Sequence, residues 1–333
     1  MLKIFSLLLL VALPPTPTLA TLREVREVHF QMGTYLEVIL WHHEPETAKR
    51  LIRDAIQEAH RLDAILSNFD PDSALSRLNR HAGAGSMRVP VELFELLARS
   101  RELAERTGGL FDVTIGPLME LWQKAAASNQ MPNPSELDQA RALVDYRKLA
   151  LRRPDAAALI RGGMSIDLGG IGKGYAVDRM TNMLKASGIS AALINFGASS
   201  MSAIGAPPGK TGWEIAVQDS DGRLRGAIHL RDVALSTSGS MGHGWIINDK
   251  KYGHLIDPQS GIAATETRMA TVVTPSATLA EALTKPLVLI GASALRIVEK
   301  FADCEAVVIP ENGAPTFSRQ FRSRFSWKEI PRP

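Results

Sequence analysis

Apolar and polar residues alternate along two neighbouring stretches of the chain, Glu24–Phe30 and Thr34–Trp41. A period of two is typical of strands that bury one face. The Met32-Gly33 pair between the two stretches predicts a tight turn. We therefore expect two strands about a turn after the first twenty residues.

Other segments repeat their apolar residues every three or four positions, which indicates amphipathic helices. The longest of these patterns runs over Glu44–Leu66. The same spacing predicts helices at Val91–Arg106, Ser135–Val144, Tyr175–Leu184, Ser276–Ile290 and Ala292–Lys300. Ser73 stands before the short helical pattern Ala74–Leu78 and is a suitable N-cap.

Short apolar runs predict further strands. They lie at Ala191–Phe196, Trp213–Gln218, Ala227–Arg231, Val233–Thr237 and Met269–Val273. Because strands and helices alternate without regular βαβ spacing, the predicted fold class is α+β with a mixed sheet.

Three further segments carry polar residues in patterns that suggest a site. We expect an extended segment within Gly108–Trp122, with Asp112 and Thr114 on one face because they are two residues apart. Tyr252–Gly261 is predicted to be a strand that ends at a proline turn. Ser236–Gly244 is predicted to be a loop of small residues with exposed amides and hydroxyls.

The first twenty residues have the composition of a targeting segment. Lys3 is their one charged residue, and the apolar run Ile4–Leu13 is followed by three prolines before Ala20. An apolar core of about ten residues suits a signal peptide, whereas a membrane span takes about twenty. We predict that residues 1–20 are a signal peptide and that the protein is periplasmic or otherwise exported, with no membrane segment after cleavage. No cysteine follows the run, which excludes a lipoprotein.

Composition narrows the class of protein further. The chain has 38 Lys and Arg against 35 Asp and Glu, so its charge gives no reason to expect a nucleic acid partner. Cys304 is the single cysteine, which excludes an internal disulfide. The length of residues 24–310 suits one large domain or two small ones, and a basic tail follows over residues 311–333.

A glycine-rich stretch, Ser165–Asp178, holds the strongest single indication of chemistry. Its acid, Asp167, is followed by four glycines and then by a helical pattern. Glycines before a helix let backbone amides approach phosphate oxygens. The spacing matches neither a P-loop nor a dinucleotide fingerprint. A tight turn that opens a packed helix therefore remains an alternative.

Five segments in order resemble one family, the ApbE-type flavin transferases (FAD:protein FMN transferases). They are MGTYLEV, SNFDPDSALSRLN, GGLFDVTIGPLMELW, SIDLGGIGKGYAVD and YGHLIDPQSG. A sixth, Ala277–Gly291, matches in its helical pattern and closing glycine. The resemblance covers about Gln31 to Gly291 and implies an ApbE/T-fold-like single domain with a mainly antiparallel sheet and flanking helices.

The resemblance also implies an activity. Members of the family bind FAD in a cleft and use Mg²⁺ to split its pyrophosphate. They then attach FMN through a phosphoester to a Thr or Ser of a partner protein and release AMP. By the same resemblance, Met32, Phe69, Leu255 and Ile256 line the flavin. An aromatic face such as that of Phe69 stacks on an isoalloxazine.

The remaining site residues carry over from the same motifs. Asp112 and Thr114 bond polar atoms of FAD, and Asp167 accepts from the adenine or ribose portion. Gly169, Gly170 and Lys173 face the phosphates, with Lys173 as a neutralising charge. His254 and Asp257 of the HxxDP motif are the candidate catalytic residues, and His254 handles the proton of the attacking hydroxyl.

The expected metal site departs from the family pattern. The candidate Mg²⁺ ligands are Gly170, Glu281 and Thr284. The resemblance implies a metal-binding helix with a pattern like ADALATAL where this chain reads AEALTKPL, so Thr284 takes the ligand role only through a register adjustment. Glu281 is one methylene longer than the family's Asp, and Mg²⁺ tolerates little error in geometry. Lys285 stands where the family has a Thr ligand, and an ammonium has no lone pair for a cation.

A second departure follows Ser238-Gly239. The family's Arg is missing there, and a protonated His243 is the candidate replacement.

Three functional hypotheses follow. The one we favour is an active FMN transferase with a diverged metal site. The second is a catalytically degenerate FAD-binding protein in which Lys285 provides a fixed charge in place of Mg²⁺. The third is a flavin-independent periplasmic interaction protein that keeps only the fold.

The signal peptide makes one prediction. Mass spectrometry of the protein recovered from its cellular compartment should find a mature N-terminus close after Ala20, because small residues precede signal cleavage sites. An N-terminal peptide that still contains Lys3 would contradict it.

Overall fold

The structure, a computed structural model, describes residues 21–219, 222–242 and 244–329. The predicted signal peptide at 1–20, the candidate His243 and the end of the predicted basic tail lie outside these ranges. The strands are β1 Arg23–Gln31, β2 Thr34–His42, β3 Met87–Arg88, β4 Leu149–Arg152, β5 Ala156–Leu159, β6 Ala191–Phe196, β7 Ser200–Gly205, β8 Trp213–Gln218, β9 Leu224–Leu230, β10 Ala234–Gly239, β11 Trp245–Ile247, β12 Lys250–Tyr252, β13 Arg268–Thr274, β14 Glu305–Pro310, β15 Thr316–Phe317 and β16 Trp327–Glu329.

The helices pack on and around these strands. They are α1 Pro45–Leu66, α2 Ala74–Arg80, α3 Val91–Arg106, α4 Gly116–Ser128, α5 Pro134–Arg141, α6 Gly172–Ala186, α7 Ala277–Ile290, α8 Leu295–Val298 and α9 Phe321–Arg324. Short 3₁₀ turns occur at Tyr146–Lys148 and Gly291–Ala294.

An eight-stranded sheet in the order β1-β2-β6-β7-β10-β13-β14-β15 forms the centre of the molecule. Its neighbouring strands pair antiparallel throughout. Within the described residues, parallel pairing occurs as an isolated bridge between Ile115 and Ser165. The prediction of an α+β fold with a mainly antiparallel sheet and flanking helices is confirmed.

The two faces of this sheet bury separate cores, because side chains alternate between faces along each strand. On β6, Ala192 and Ile194 pack with α1, α6 and α7, whereas Leu193 points to the other face. That second face packs against a small sheet of β16, β9 and β8 and against α9. Helices α6 and α7 on the first face carry Lys173, Glu281 and Thr284 of the candidate site.

Helices α6 and α7 are joined by close backbone packing and by hydrogen-bonded carboxylates. Asp178 on α6 accepts hydrogen bonds from the backbone N–H groups of Ala277 and Thr278 at 2.7 and 3.0 Å, which caps the start of α7. Gly174 lies so close that a Cβ added there would be 2.4 Å from the Ala277 carbonyl oxygen. The glycine at this position is therefore required by packing.

A third core cluster supports the segment that follows β12. Trp122 of α4 stacks on Trp245 with ring centroids 5.8 Å apart and also contacts Tyr252. Its indole N–H donates to the carbonyl oxygen of Gly261 at 2.9 Å. This cluster holds the HxxDP segment against the rest of the molecule.

Most predicted elements are present with shifted ends. The strands at Ala191–Phe196 and Trp213–Gln218 match β6 and β8 at both ends. The predicted hairpin turn is present, with positive φ at both Met32 and Gly33. Helix α6 begins three residues before the predicted Tyr175, because its first turn takes in two of the glycines.

Two predictions of extended backbone were wrong. Gly108–Trp122 turns at Asp112, whose carboxylate accepts from the Thr114 N–H at 2.8 Å, and α4 then begins at Gly116. In Tyr252–Gly261 only Tyr252 belongs to a strand. His254 and Asp257 therefore lie on an irregular segment, because the Asp257 side chain folds the chain into the proline turn.

Two further predictions need correction. Ser236–Gly239 completes β10 and is not a loop, because it pairs with β13 and the Thr237 hydroxyl lies 2.9 Å from that of Thr271. Ala292–Lys300 is not one helix, since Gly291 ends α7 with φ of 66° and a 3₁₀ turn and the short α8 follow. Neither change moves a candidate site residue.

The helical segment Ala277–Val298 has the length and mean hydropathy of a membrane-spanning helix. Most of it is buried within the protein, and core helices of globular proteins share these properties. The absence of a membrane segment after the signal peptide stays a prediction.

The packing of α6 on α7 makes a testable prediction. Gly174→Ala should destabilise the protein by about 1–3 kcal/mol, because its methyl group overlaps the α7 backbone. The matched control is Gly172→Ala in the same helical turn, where the added Cβ meets no atom closer than 3.9 Å. Urea unfolding followed by circular dichroism measures both, and equal stabilities would contradict the packing assigned to Gly174.

Candidate active site

A large cavity opens where the hairpin turn, the glycine-rich stretch, α7 and the HxxDP segment meet. Its volume is about 1170 Å³, above the 300–1000 Å³ typical of sites for small ligands. It is lined by most of the predicted site residues: Met32, Phe69, Asp112, Asp167, Gly169, Gly170, Lys173, His254, Leu255, Ile256 and Glu281. Thr114, Asp257 and Thr284 lie behind this lining.

Apolar and aromatic groups form part of the cavity lining. Met32 reaches it from the hairpin turn, and Leu255 and Ile256 border it from the HxxDP segment. Phe69, on the loop between α1 and α2, leaves 93% of its surface exposed. An exposed aromatic ring at a cavity wall offers a stacking face to a planar ligand.

Asp112 and Thr114 form a buried hydrogen-bonded unit. The Asp112 carboxylate accepts from the Thr114 hydroxyl at 2.7 Å and from the Tyr146 N–H at 2.9 Å, and Thr114 accepts from the Asp145 N–H at 2.8 Å. Burial raises the pKa of Asp112, and these hydrogen bonds oppose the rise. Thr114 is fully buried, so in this structure it orients Asp112 from behind. Direct contact of either side chain with FAD stays a prediction.

Asp167 shapes the start of the glycine-rich stretch. Its carboxylate accepts from the Gly169 N–H at 2.7 Å, and its backbone N–H donates to Val113 at 2.8 Å. Burial raises the pKa of Asp167, while the bonds from Gly169 and Asn68 and the charge of Lys173 lower it. The carboxylate thus bends the chain so that glycine backbone faces the cavity ahead of α6.

Asn68 is a cavity residue that the sequence reasoning missed. It lines the cavity beside Phe69, and its side-chain oxygen is buried without a hydrogen-bond partner among the described residues. An unpaired buried oxygen is costly and fits a ligand donor. The signal available in the sequence was its place in the SNFD segment, directly before Phe69.

A network of lysines and oxygens occupies the corner where the metal site was predicted. The Glu281 carboxylate is almost fully buried, accepts from the Gly174 N–H at 2.6 Å and pairs with Lys173 at 3.2 Å. The Lys285 ammonium donates to the Glu281 carbonyl oxygen at 3.0 Å and to the Thr284 hydroxyl at 3.2 Å. Burial lowers the pKa of Lys285 to about 8, the nearby Lys173 charge adds to this, and Glu281 opposes it.

These residues do not fit Mg²⁺ as they stand. No cluster of three or more His, Cys, Asp or Glu residues within the described part of the chain is arranged to hold a metal. The Glu281 carboxylate is already engaged by an N–H and an ammonium, and Thr284 donates to the Glu281 carbonyl oxygen at 2.7 Å. A cation placed here would face the Lys285 ammonium. The predicted ligand role of Gly170, Glu281 and Thr284 stays a prediction without a matching geometry.

His254 and Asp257 play different parts. His254 lines the cavity, and a side chain at the neighbouring Gly242 would come within 3.7 Å of its ring. Asp257 accepts from the Gln259 N–H at 2.9 Å and from the Ser260 hydroxyl at 2.8 Å, away from the cavity lining. In this structure Asp257 therefore holds the turn that positions His254.

The cavity thus combines three kinds of group. It has aromatic and apolar side chains, glycine backbone with Lys173 and Lys285, and the His254 imidazole. Glycine backbone and ammonium groups suit phosphates, and an imidazole suits proton transfer from a hydroxyl. The arrangement can hold an aromatic nucleotide and transfer a phosphoryl-linked group.

The sequence of this chain is similar to sequences of known proteins. The ApbE family model matches residues 32–308. The FAD:protein FMN transferase of Treponema pallidum (strain Nichols) is 27% identical over 313 residues, which cover 87% of this chain and 85% of that protein. The FAD:protein FMN transferase of Escherichia coli (strain K12) is 26% identical over 277 residues, which cover 78% of each.

A solved structure shares the fold. The flavin transferase ApbE from Vibrio cholerae superposes with a TM-score of 0.81 at 24% identity, over 91% of this chain and 99% of that chain. At this identity the likeness establishes the fold alone.

Proposed function

The chain belongs to the ApbE family, and we propose that it is an exported FAD:protein FMN transferase. FAD is bound in the cavity, FMN is attached to a Thr or Ser hydroxyl of a partner protein, and AMP is released. The observation that carries this proposal is the convergence of Phe69, Lys173 and His254 on one cavity. The relatives from Treponema pallidum and Escherichia coli, which match most of the chain, are named for this activity.

Different groups of the cavity lining suit different parts of FAD. The isoalloxazine ring lies against Met32 and Phe69, and the pyrophosphate faces Gly169, Gly170 and Lys173. Asn68 and Asp167 offer acceptor oxygens to N–H or O–H groups of the nucleotide. This orientation places the flavin-side phosphate between the lysines and His254.

The transfer step uses groups that the chain itself supplies. The acceptor hydroxyl loses its proton to the His254 ring as its oxygen bonds to the FMN phosphorus. The bond from that phosphorus to the bridging pyrophosphate oxygen breaks, and AMP leaves with the bridging oxygen. Phosphoryl transfer of this kind depends on positioning and charge neutralisation, which Lys173 and the glycine amides provide.

A degenerate FAD-binding protein is the second candidate. It is favoured by the Lys285 ammonium at the corner where the family binds a metal. In that case FAD binds in the same way, but no AMP is released.

One experiment separates these functions. The mature chain is incubated with FAD, Mg²⁺ and an exported-protein fraction, AMP is measured by chromatography, and denaturing gels are read for covalent flavin fluorescence. We expect both signals. His254→Gln should reduce both by about 10²–10⁴-fold, the usual contribution of a general base. It should leave quenching of FAD fluorescence unchanged.

The control is His60→Gln, because His60 is exposed on α1 outside the cavity lining. FAD binding without AMP or a fluorescent band would select the degenerate protein. A chain that binds no FAD would remove both candidates.

A further inference from the structure

The Lys285 ammonium sits among three oxygens at the corner of the cavity. It donates to the Glu281 carbonyl oxygen at 3.0 Å, to the Thr284 hydroxyl at 3.2 Å and to the Ser238 hydroxyl at 3.3 Å. The two hydroxyls are themselves 2.7 Å apart. A positive charge therefore occupies a cluster of oxygens from β10 and α7 at the cavity wall.

The aliphatic part of the Lys285 side chain packs beside Gly170. A Cβ added to Gly170 would lie 3.1 Å from the Lys285 Cε and 3.6 Å from the Phe111 ring. Gly170 thus leaves the space through which the stem passes beside the glycine-rich stretch. Because Lys285 also lines the cavity, its charge acts on whatever lies beside that stretch.

The same geometry argues against a divalent ion at this position. Mg²⁺ requires six oxygens at about 2.0–2.1 Å in near-octahedral order. Here the Glu281 carboxylate faces the Gly174 N–H and Lys173, and the carbonyl and hydroxyl oxygens face an ammonium. Binding of Mg²⁺ would require the ammonium to leave and the carboxylate to turn away from α6.

We propose that the Lys285 ammonium takes the place of a divalent cation in this chain, so that the pyrophosphate of FAD is held without a metal ion. This inference rests on the proposed function, which supplies the ligand. The Lys173 and Lys285 ammonium groups beside the Glu281 carboxylate leave one net positive charge at this corner of the cavity. Lys285 and Lys173 neutralise the phosphates, and the transfer step needs no further reactant.

The test measures FAD binding by fluorescence quenching in EDTA and again in Mg²⁺. The wild-type mature chain should bind FAD equally under both conditions. Lys285→Met should weaken FAD binding by about 10–100-fold, the usual value of a charge-assisted hydrogen bond. Binding of riboflavin, which has no phosphate, should not change, and this also verifies that the variant is folded.

Two further variants complete the design. Lys285→Thr restores a family-like ligand and removes the ammonium, so its FAD binding should become stronger when Mg²⁺ is added. Lys49→Met is the matched control, because Lys49 is a half-exposed residue on α1 that pairs with Glu46 outside the cavity lining. It should bind FAD as the wild type does.

The outcomes distinguish the inference from the proposed function. Wild-type protein that binds FAD only with Mg²⁺ would overturn the role of Lys285 and leave the transferase proposal intact. If Lys285→Met binds FAD with the same affinity as the wild type, Lys285 has only a structural role and the inference is wrong. A wild-type chain that binds FAD under neither condition would instead remove the proposed function itself.

Discussion

The contact between α6 and α7 is the constraint on which the cavity depends. Gly174 brings the two backbones together, Asp178 caps the start of α7, and the buried Glu281 carboxylate bonds back to the Gly174 N–H. A buried carboxylate must be paired and hydrogen-bonded, because leaving it unsatisfied costs several kcal/mol. The contact fixes the glycine-rich stretch ahead of α6 at a set distance from Lys285 on α7. The core of the protein therefore positions the lysine charges that we propose to face the pyrophosphate.

The HxxDP segment, which forms another part of the cavity wall, is held by different contacts. Trp122 packs under the HxxDP segment and bonds the Gly261 carbonyl oxygen, while Asp257 closes the proline turn. His254 thus reaches the cavity from a segment that is irregular but tied at both sides. Helices α6 and α7 thus carry the two lysines, and a loop held by hydrogen bonds carries the imidazole.

Local patterns in the sequence predicted much of this arrangement. The hairpin, β6, β8 and the helix after the glycines follow from periodicity and turn residues, and the motifs identified most of the cavity lining. Sequence patterns could not show that Asp112 turns the chain, because that depends on a carboxylate bonding its neighbour's N–H. They also could not bring the Ser238 hydroxyl of β10 to the Lys285 ammonium, since the two residues are 47 positions apart along the chain. Asn68 was missed because its importance is an unpaired oxygen, which is visible only in the fold.

The proposed mechanism depends on which positive charge neutralises the pyrophosphate of FAD. The most direct measurement is a crystal structure of the mature chain with FAD and Mn²⁺, with anomalous data collected to locate the metal. We expect a phosphate oxygen within hydrogen-bond distance of the Lys285 Nζ and no anomalous peak beside Glu281. A Mn²⁺ peak ligated by Glu281 and Thr284, with the Lys285 side chain turned away, would contradict it.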